Sequence, residues 1–237
     1  MEQARQWLKK ASKIAVLTGA GISAESRVPT FRGPRGMWRR LRPEDLATPG
    51  AFARDPKLVW EWYAWRRGLI AETKPNAGHR ALARLEERTG EFALVTQNVD
   101  GLHDRAGSRN ILKVHGDIWD VRCLECGNES REERLKFPEL PPRCACGGML
   151  RPGVVWFGEG MHAGVWDAAE RAVEACDVML VVGTSAVVYP AAGLVPLAKV
   201  AGAKVIEINL EETPFSASLD KSFRGKAGEL LPELIGG

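Results

Sequence analysis

The chain has little that would tie it to a membrane or to nucleic acid. Its longest apolar runs, such as Val178 to Val182, are far too short to cross a bilayer. The opening residues, Met1-Glu-Gln-Ala-Arg-Gln-Trp-Leu-Lys-Lys10, lack the apolar stretch of a signal peptide and read as an amphipathic helix. No charge of one sign dominates. Lys and Arg number 33 against 30 Asp and Glu, and the interleaved net charge of +3 excludes the basic footprint of a nucleic-acid binder. Asn and Gln are scarce, a bias shared with thermophilic proteins. There is no internal repeat and no low-complexity tract. Cysteine is limited to five residues, four of them in one cluster. The expectation is a cytoplasmic protein with reduced thiols, taking neither membrane nor nucleic acid as a direct partner.

What is present is ordinary globular material. With 237 residues, 45% of them hydrophobic, the chain can bury a core and suits one large domain carrying a smaller insertion. Lys13-Ile-Ala-Val-Leu-Thr18 is a short apolar run ending at Gly19-Ala-Gly21, which favours a buried parallel strand. Runs of the same kind are Phe92 to Thr96, Val178 to Val182 and Lys204 to Ile208, and Ile111 to Val114 leads to another strand exit. Helical patterns lie between them at Gly78 to Thr89, Val165 to Ala175 and Ala191 to Ala201. That alternation predicts a doubly wound α/β sheet with ligands at the carboxyl ends of its strands. Two segments break the rhythm: 28–74, rich in Arg, Trp and Pro, and 117–152, which holds the clustered cysteines. They are predicted to form a small lobe, leaving 1–27, 75–116 and 153–237 to the main sheet.

Gly19-Ala-Gly21-Ile-Ser-Ala24 follows the first strand and matches G-x-G-x-x-G/A, a turn at which a pyrophosphate can approach backbone N–H groups. A plain structural turn fits the same residues equally well. No acidic residue closes a second strand some twenty residues on, which disfavours an ordinary dehydrogenase. Ribose partners would then come from elsewhere, and Asn209-Leu-Glu211 at the end of the last long strand is well placed.

Cys123-Leu-Glu-Cys126 and Cys144-Ala-Cys146 are separated by seventeen residues, a spacing that suits a structural zinc ion held by four thiolates. The second pair is one residue shorter than usual, which strains that knuckle. Gly127 and Gly147 follow the knuckles, where positive φ is needed. Cys176, alone before a buried strand, reads as a core residue. Thr96-Gln-Asn-Val-Asp-Gly-Leu-His103 follows a strand with amides and a carboxylate that could grip a ribose and a carboxamide. A turn in which Asn98 and Asp100 satisfy backbone groups is the alternative. His115 stands at a strand exit on the same edge and is a candidate general base. His79 and His103 read as structural, His162 as exposed.

Together these motifs resemble the sirtuin family of NAD-dependent protein deacylases. The matching residues are Gly19 to Ser23, Pro29-Thr-Phe-Arg-Gly33, Thr96 to Asp100, Val114-His-Gly116, the four cysteines, and Arg151-Pro-Gly-Val-Val-Trp-Phe-Gly-Glu159. Gly183-Thr-Ser185, Asn209-Leu-Glu211 and Lys226-Ala-Gly-Glu229 follow in the family's order, so the likeness spans nearly the whole chain. It implies a Rossmann-type domain, a zinc-bearing small domain and a cleft between them. Ala20 and Gly21 would approach the pyrophosphate, and Phe31 and Arg32 would cover the nicotinamide end. Gln97 and Asn98 would hold the nicotinamide ribose, and Asp100 the carboxamide. Thr184, Ser185, Asn209, Glu211 and the backbone of Ala227 would serve the adenosine half. Gly19, Ser23, Val99, Gly183 and Leu210 complete the implied NAD site. His115, with Asn98, would carry catalysis, and Val154, Val155 and Trp156 would pair with an acyl-lysine peptide as an added strand. The implied products are free lysine, nicotinamide and O-acyl-ADP-ribose.

Tyr63 and Arg66 fall at i, i+3 on a predicted helix and resemble the signature of the sirtuin class that removes succinyl and malonyl groups. A guanidinium and a phenol suit a carboxylate-bearing acyl group, whereas a surface Arg beside a packed Tyr is the structural alternative. The expected activity is deacylation of succinyl, malonyl and acetyl lysine. Mono-ADP-ribosyl transfer and a non-catalytic NAD sensor are the rival readings.

Overall fold

The computed structural model describes residues 1–30 and 42–236. Six strands form one parallel sheet: β1 (Lys13–Thr18), β2 (Glu91–Thr96), β3 (Ile111–Lys113), β7 (Val178–Val182), β8 (Lys204–Asn209) and β9 (Lys221–Arg224). Three more, β4 (Gly116–Cys123), β5 (Glu129–Arg131) and β6 (Leu150–Val154), form a separate antiparallel sheet with β4 at its centre. The parallel order is β3-β2-β1-β7-β8-β9, so the winding reverses between β1 and β7. Crevices at such a reversal are where doubly wound sheets take ligands.

The alternation of side chains explains why the central strands read as continuous apolar runs. Ile14 and Val16 of β1 join a core with Leu180, Ile206 and the helices Glu2–Lys10, Ala77–Arg88 and Ala227–Ile235. Ala15 and Leu17 point the other way, into a second core with Met179, Val205, Ala169 and Leu194. Both faces are therefore buried, as a parallel sheet flanked by helices requires. The edge strand β9 is different: Lys221, Ser222 and Phe223 are half-buried, Arg224 is exposed, and the segment carries no apolar run. It is held by one buried carboxylate. Glu207 of β8 accepts from Ser222 Oγ at 2.5 Å and Arg224 Nη1 at 2.6 Å, and also from the hydroxyls of Thr213 and Ser216.

The small sheet packs on the helix Pro56–Ala71, which Asp55 caps by accepting the Leu58 N–H at 2.9 Å. Trp60, fully buried, donates its indole N–H to the Leu150 carbonyl at 2.7 Å. Arg67, two turns on, is also fully buried and donates Nε–H to the Ile118 carbonyl at 2.8 Å. Its guanidinium lies 5.4 to 5.8 Å from the ring centres of Trp60, Trp119 and Phe137, and burial lowers its pKa to about 10. The strands of this lobe are absent from the sequence expectation because their residues are mixed and short. His103 lies in the short helix Leu102–Ala106, buried against His79. The expected helix Ala191 to Ala201 begins as one 3-10 turn, Ala191–Gly193, before the α-helix Leu194–Val200.

Candidate active site

Gly19 and Gly21 sit where β1 meets β7. Gly21 N–H donates to the Gly183 carbonyl at 2.7 Å, an approach too close for any side chain. A Cβ on Gly21 would lie 2.7 Å from Gly183 O, and one on Gly19 2.8 Å from Thr184 Cβ. Gly183 itself has φ +59, and a Cβ there would meet Ile22 N at 2.3 Å. The glycines are thus required by close approach, beyond a mere turn. Beside them opens a cavity of about 500 Å³, lined by Gly21, Gly183, Asn209, Leu210 and Ala227 together with Glu25 and Lys226. Glu25 and Lys226 were not expected there. Lys226 opens the motif Lys226 to Glu229, whereas Glu25 carries no sequence signal and is a polar helix-end residue brought in by accepting the Gly228 N–H at 2.8 Å. Ser185 and Glu211 are exposed near these strand ends, and Asn209 is oriented by donating to the Glu211 carbonyl at 3.0 Å.

The β2 exit supplies the opposite wall. Gln97 donates Nε2–H to Thr184 Oγ1 at 3.0 Å, joining the two halves of the sheet edge. Asn98, buried, donates Nδ2–H to the Gly19 carbonyl at 3.0 Å and to Ser23 Oγ at 3.2 Å. Ser23 in turn donates to Asp100 Oδ2 at 2.7 Å, while Asp100 Oδ1 accepts the Leu102 N–H at 2.9 Å. Asp100 is buried, and burial raises its pKa above the ordinary carboxylate value. Ala20, Ser23, Asn98, Val99 and Asp100 line a narrow crevice, and Arg66 closes it from the small lobe.

His115 lies just beyond β3, and its Nδ1 is 3.1 Å from the Gln97 carbonyl. A carbonyl only accepts, so Nδ1 carries the proton and Nε2 keeps its lone pair. Burial lowers the pKa of His115 below the ordinary value, so the ring is neutral at neutral pH. The His115 carbonyl accepts the Val155 N–H at 3.0 Å, placing Val154, Val155 and Trp156 directly behind it. Trp156 is fixed on three sides: its backbone N–H donates to Glu159 at 2.8 Å, Arg151 stacks 3.5 Å over its ring, and its indole donates to Tyr63 OH at 3.0 Å. Tyr63 and Arg66 share the buried face of Pro56–Ala71, and burial pushes the phenol up to about 12. Phe31 and Arg32 lie outside the described residues.

The four thiols of Cys123, Cys126, Cys144 and Cys146 converge, with all sulfurs within 4.8 Å of one another. The Cys123–Cys146 and Cys126–Cys144 separations are 3.5 and 3.8 Å. A tetrahedron with metal–sulfur bonds of ~2.3 Å has edges of ~3.8 Å, so the donor set fits one zinc ion. The shortened second knuckle is accommodated by glycine: Gly147 turns at φ +88, and a Cβ on Gly148 would meet Cys123 Sγ at 2.8 Å.

The model of the Sir2 family matches residues 19–190. The NAD-dependent protein deacylase of Aquifex aeolicus is 57% identical over 225 residues, 93% of each chain. A Sir2 homolog solved as its NAD complex superposes with a TM-score of 0.94 at 50% identity, covering 99% of this chain and 92% of that one. A Sir2–p53 peptide–NAD complex gives 0.89 at 30% identity, covering 99% and 97%. The chain belongs to the Sir2 family. Among the described residues no helix is long and apolar enough to cross a membrane.

Two outcomes follow from this geometry. Gly183→Ala, which forces a Cβ against Ile22 N, is expected to weaken NAD binding at least about tenfold by calorimetric titration, and an unchanged affinity would contradict the close-approach argument. As a general base His115 would act in its neutral form, and burial lowers its pKa below 6.5. The kcat/KM profile for an acyl peptide should therefore hold through neutral pH and fall in acid with its midpoint below 6.5.

Proposed function

We propose that the chain is an NAD-dependent protein-lysine deacylase that removes succinyl and malonyl groups as well as acetyl. The observation that carries the reading is His115: its Nδ1 is pinned to the Gln97 carbonyl, which leaves Nε2 unprotonated, and it follows β3, so it lies on the same edge of the parallel sheet as the glycines that follow β1. The cavity and cradle fit a dinucleotide. Ala20 and Gly21 would face the pyrophosphate, and Gln97 and Asn98 the nicotinamide ribose. Asp100 would hold the carboxamide in a pocket that already orients both carboxylate oxygens. Asn209, Leu210, Glu211, Thr184, Ser185 and Ala227 would hold the adenosine half. When bound, NAD supplies an electrophilic ribose carbon that accepts the acyl oxygen as nicotinamide leaves. His115 would accept a proton at Nε2 from a ribose hydroxyl. Cys123, Cys126, Cys144 and Cys146 would hold zinc in a structural role, since four thiolates leave no open position. A reducing compartment, the cytoplasm, suits thiolates kept for a metal.

The acyl preference rests on Tyr63 and Arg66. Tyr63 OH accepts from Trp156, so its own hydrogen is left to donate, and its raised pKa keeps that hydrogen in place. Arg66 is buried and lines the crevice that also holds Asn98 and Asp100. Guanidinium and phenol together match a carboxylate and gain nothing from acetyl. The domain division proposed with this function is 28–74 and 117–152 against the rest of the chain. Acyl-lysine proteins are the proposed partners, with no direct role for nucleic acid.

The test is to compare initial rates on two peptides that differ only in acetyl or succinyl on the lysine. Succinyl removal should be the faster, and Arg66→Met should slow it at least about tenfold while leaving acetyl removal within about threefold. Faster acetyl removal that is indifferent to Arg66→Met would reduce the pair to packing.

A further inference from the structure

Three hydrogen bonds stitch the β2 exit loop to the segment that carries His115. His115 Nδ1 donates to Gln97 O at 3.1 Å, Ile118 N–H to Val99 O at 2.9 Å, and the Trp119 indole N–H to Asp100 O at 3.1 Å. Each rung fixes the backbone of a residue expected at the NAD site. Trp119 packs so closely there that a Cβ on Gly101, at φ +72, would come within 3.2 Å of its ring.

One side chain governs the register of this ladder. Asp117, 1% exposed, lies two residues beyond His115 and two before Trp119. Its Oδ1 accepts the Trp119 backbone N–H at 2.9 Å, which sets the turn that presents the indole to Asp100. Its Oδ2 accepts from Lys113 Nζ at 2.7 Å, so the residues on either side of His115 are clamped together. Lys113 also donates to Asp104 at 2.7 Å, on the helix that begins directly after the loop. Arg131 of β5 reaches the same Oδ2 at 3.2 Å, carrying the clamp into the small sheet. A carboxylate buried this deeply is costly unless paired, and here two cations and one amide pair it.

We infer that Asp117 is a positioning residue for the reaction: with Lys113, it holds His115 in register with Asn98 and Asp100 across the junction of the two sheets. The inference rests on the deacylase reading for its kinetic consequence. A base displaced by a fraction of an ångström loses rate while the substrates still bind.

The experiment uses the full zinc-loaded chain and the acyl peptide that wild type turns over faster. Asp117→Asn keeps a carbonyl for the Trp119 N–H but loses the paired charge. Lys113→Met leaves Asp117 paired with Arg131 and guards against a variant that fails to fold. Both should lower kcat about tenfold or more, with KM for NAD within about twofold of wild type. Lys113→Arg, which restores a cation, should recover most of the loss. Unchanged kcat with only a lower Tm, or a raised KM with kcat intact, would overturn the inference. Hydrogen exchange of the Trp119 indole N–H gives a readout independent of turnover. It should be slow in wild type and markedly faster in Asp117→Asn, and equal rates would overturn the clamp. Should wild type turn over neither peptide, the deacylase reading fails by itself, and the exchange comparison still decides whether Asp117 sets the ladder.

Discussion

The contact between Gly21 and Gly183 sets the geometry of everything built above it. β1 and β7 are neighbours in the sheet, and the chain leaves them in opposite directions of winding. Where they part, the Gly21 N–H meets the Gly183 carbonyl at 2.7 Å with no space for a side chain on either residue. That lack of space is what opens backbone to a ligand: the cavity beside the glycines is walled by main chain and by the ends of β8 and the helix Ala227–Ile235. The polar residues of the β2 exit then fold onto this floor, because Asn98 donates to Gly19 O and Gln97 to Thr184 Oγ1. A substitution at either glycine would displace the partners of both amides.

The second lobe contributes the other wall, and two tryptophans take part in the joining. Trp119 reaches from β4 to Asp100, and Trp156 links the end of β6 to Tyr63. Arg66 enters the crevice from the same helix that Trp60 and Arg67 anchor to the small sheet. Zinc ligation would act at a distance from the chemistry, holding the two knuckles that terminate β4 and precede β6. His115 and Val155 sit at the end of the antiparallel sheet, joined by the bond from the Val155 N–H to the His115 carbonyl.

Much of this was legible in the sequence, and the exceptions have physical causes. The strands Lys13–Thr18 and Val178–Val182 match their apolar runs end to end, because burial on both faces leaves no polar residue inside them. The four cysteines and the Gly19 to Ala24 loop were legible because metal ligation and close backbone approach each demand particular residue types at fixed spacing. β9 was not, since a buried Glu207 on another strand holds it in place of an apolar run. Nor were β4, β5 and β6, whose residues are short-ranged mixtures stabilised by Arg67 and the tryptophans. The contacts Tyr63–Trp156 and Asp100–Trp119 join residues far apart in the chain, and no local pattern announces them. His103 and His79 read as structural in the sequence, and both are buried with lowered pKa values, in hydrogen-bond reach of Thr18 and Ser23.

The most direct measurement is made on His115→Ala, by titrating NAD into the protein and assaying turnover of an acyl-lysine peptide in parallel. The imidazole is not among the residues that line the cavity proposed for the dinucleotide. The account predicts NAD affinity close to wild type with turnover reduced by at least about a hundredfold, the scale of a lost general base. Turnover that survives the substitution would contradict the account, because the neutral imidazole held by Gln97 would then have no part in the reaction.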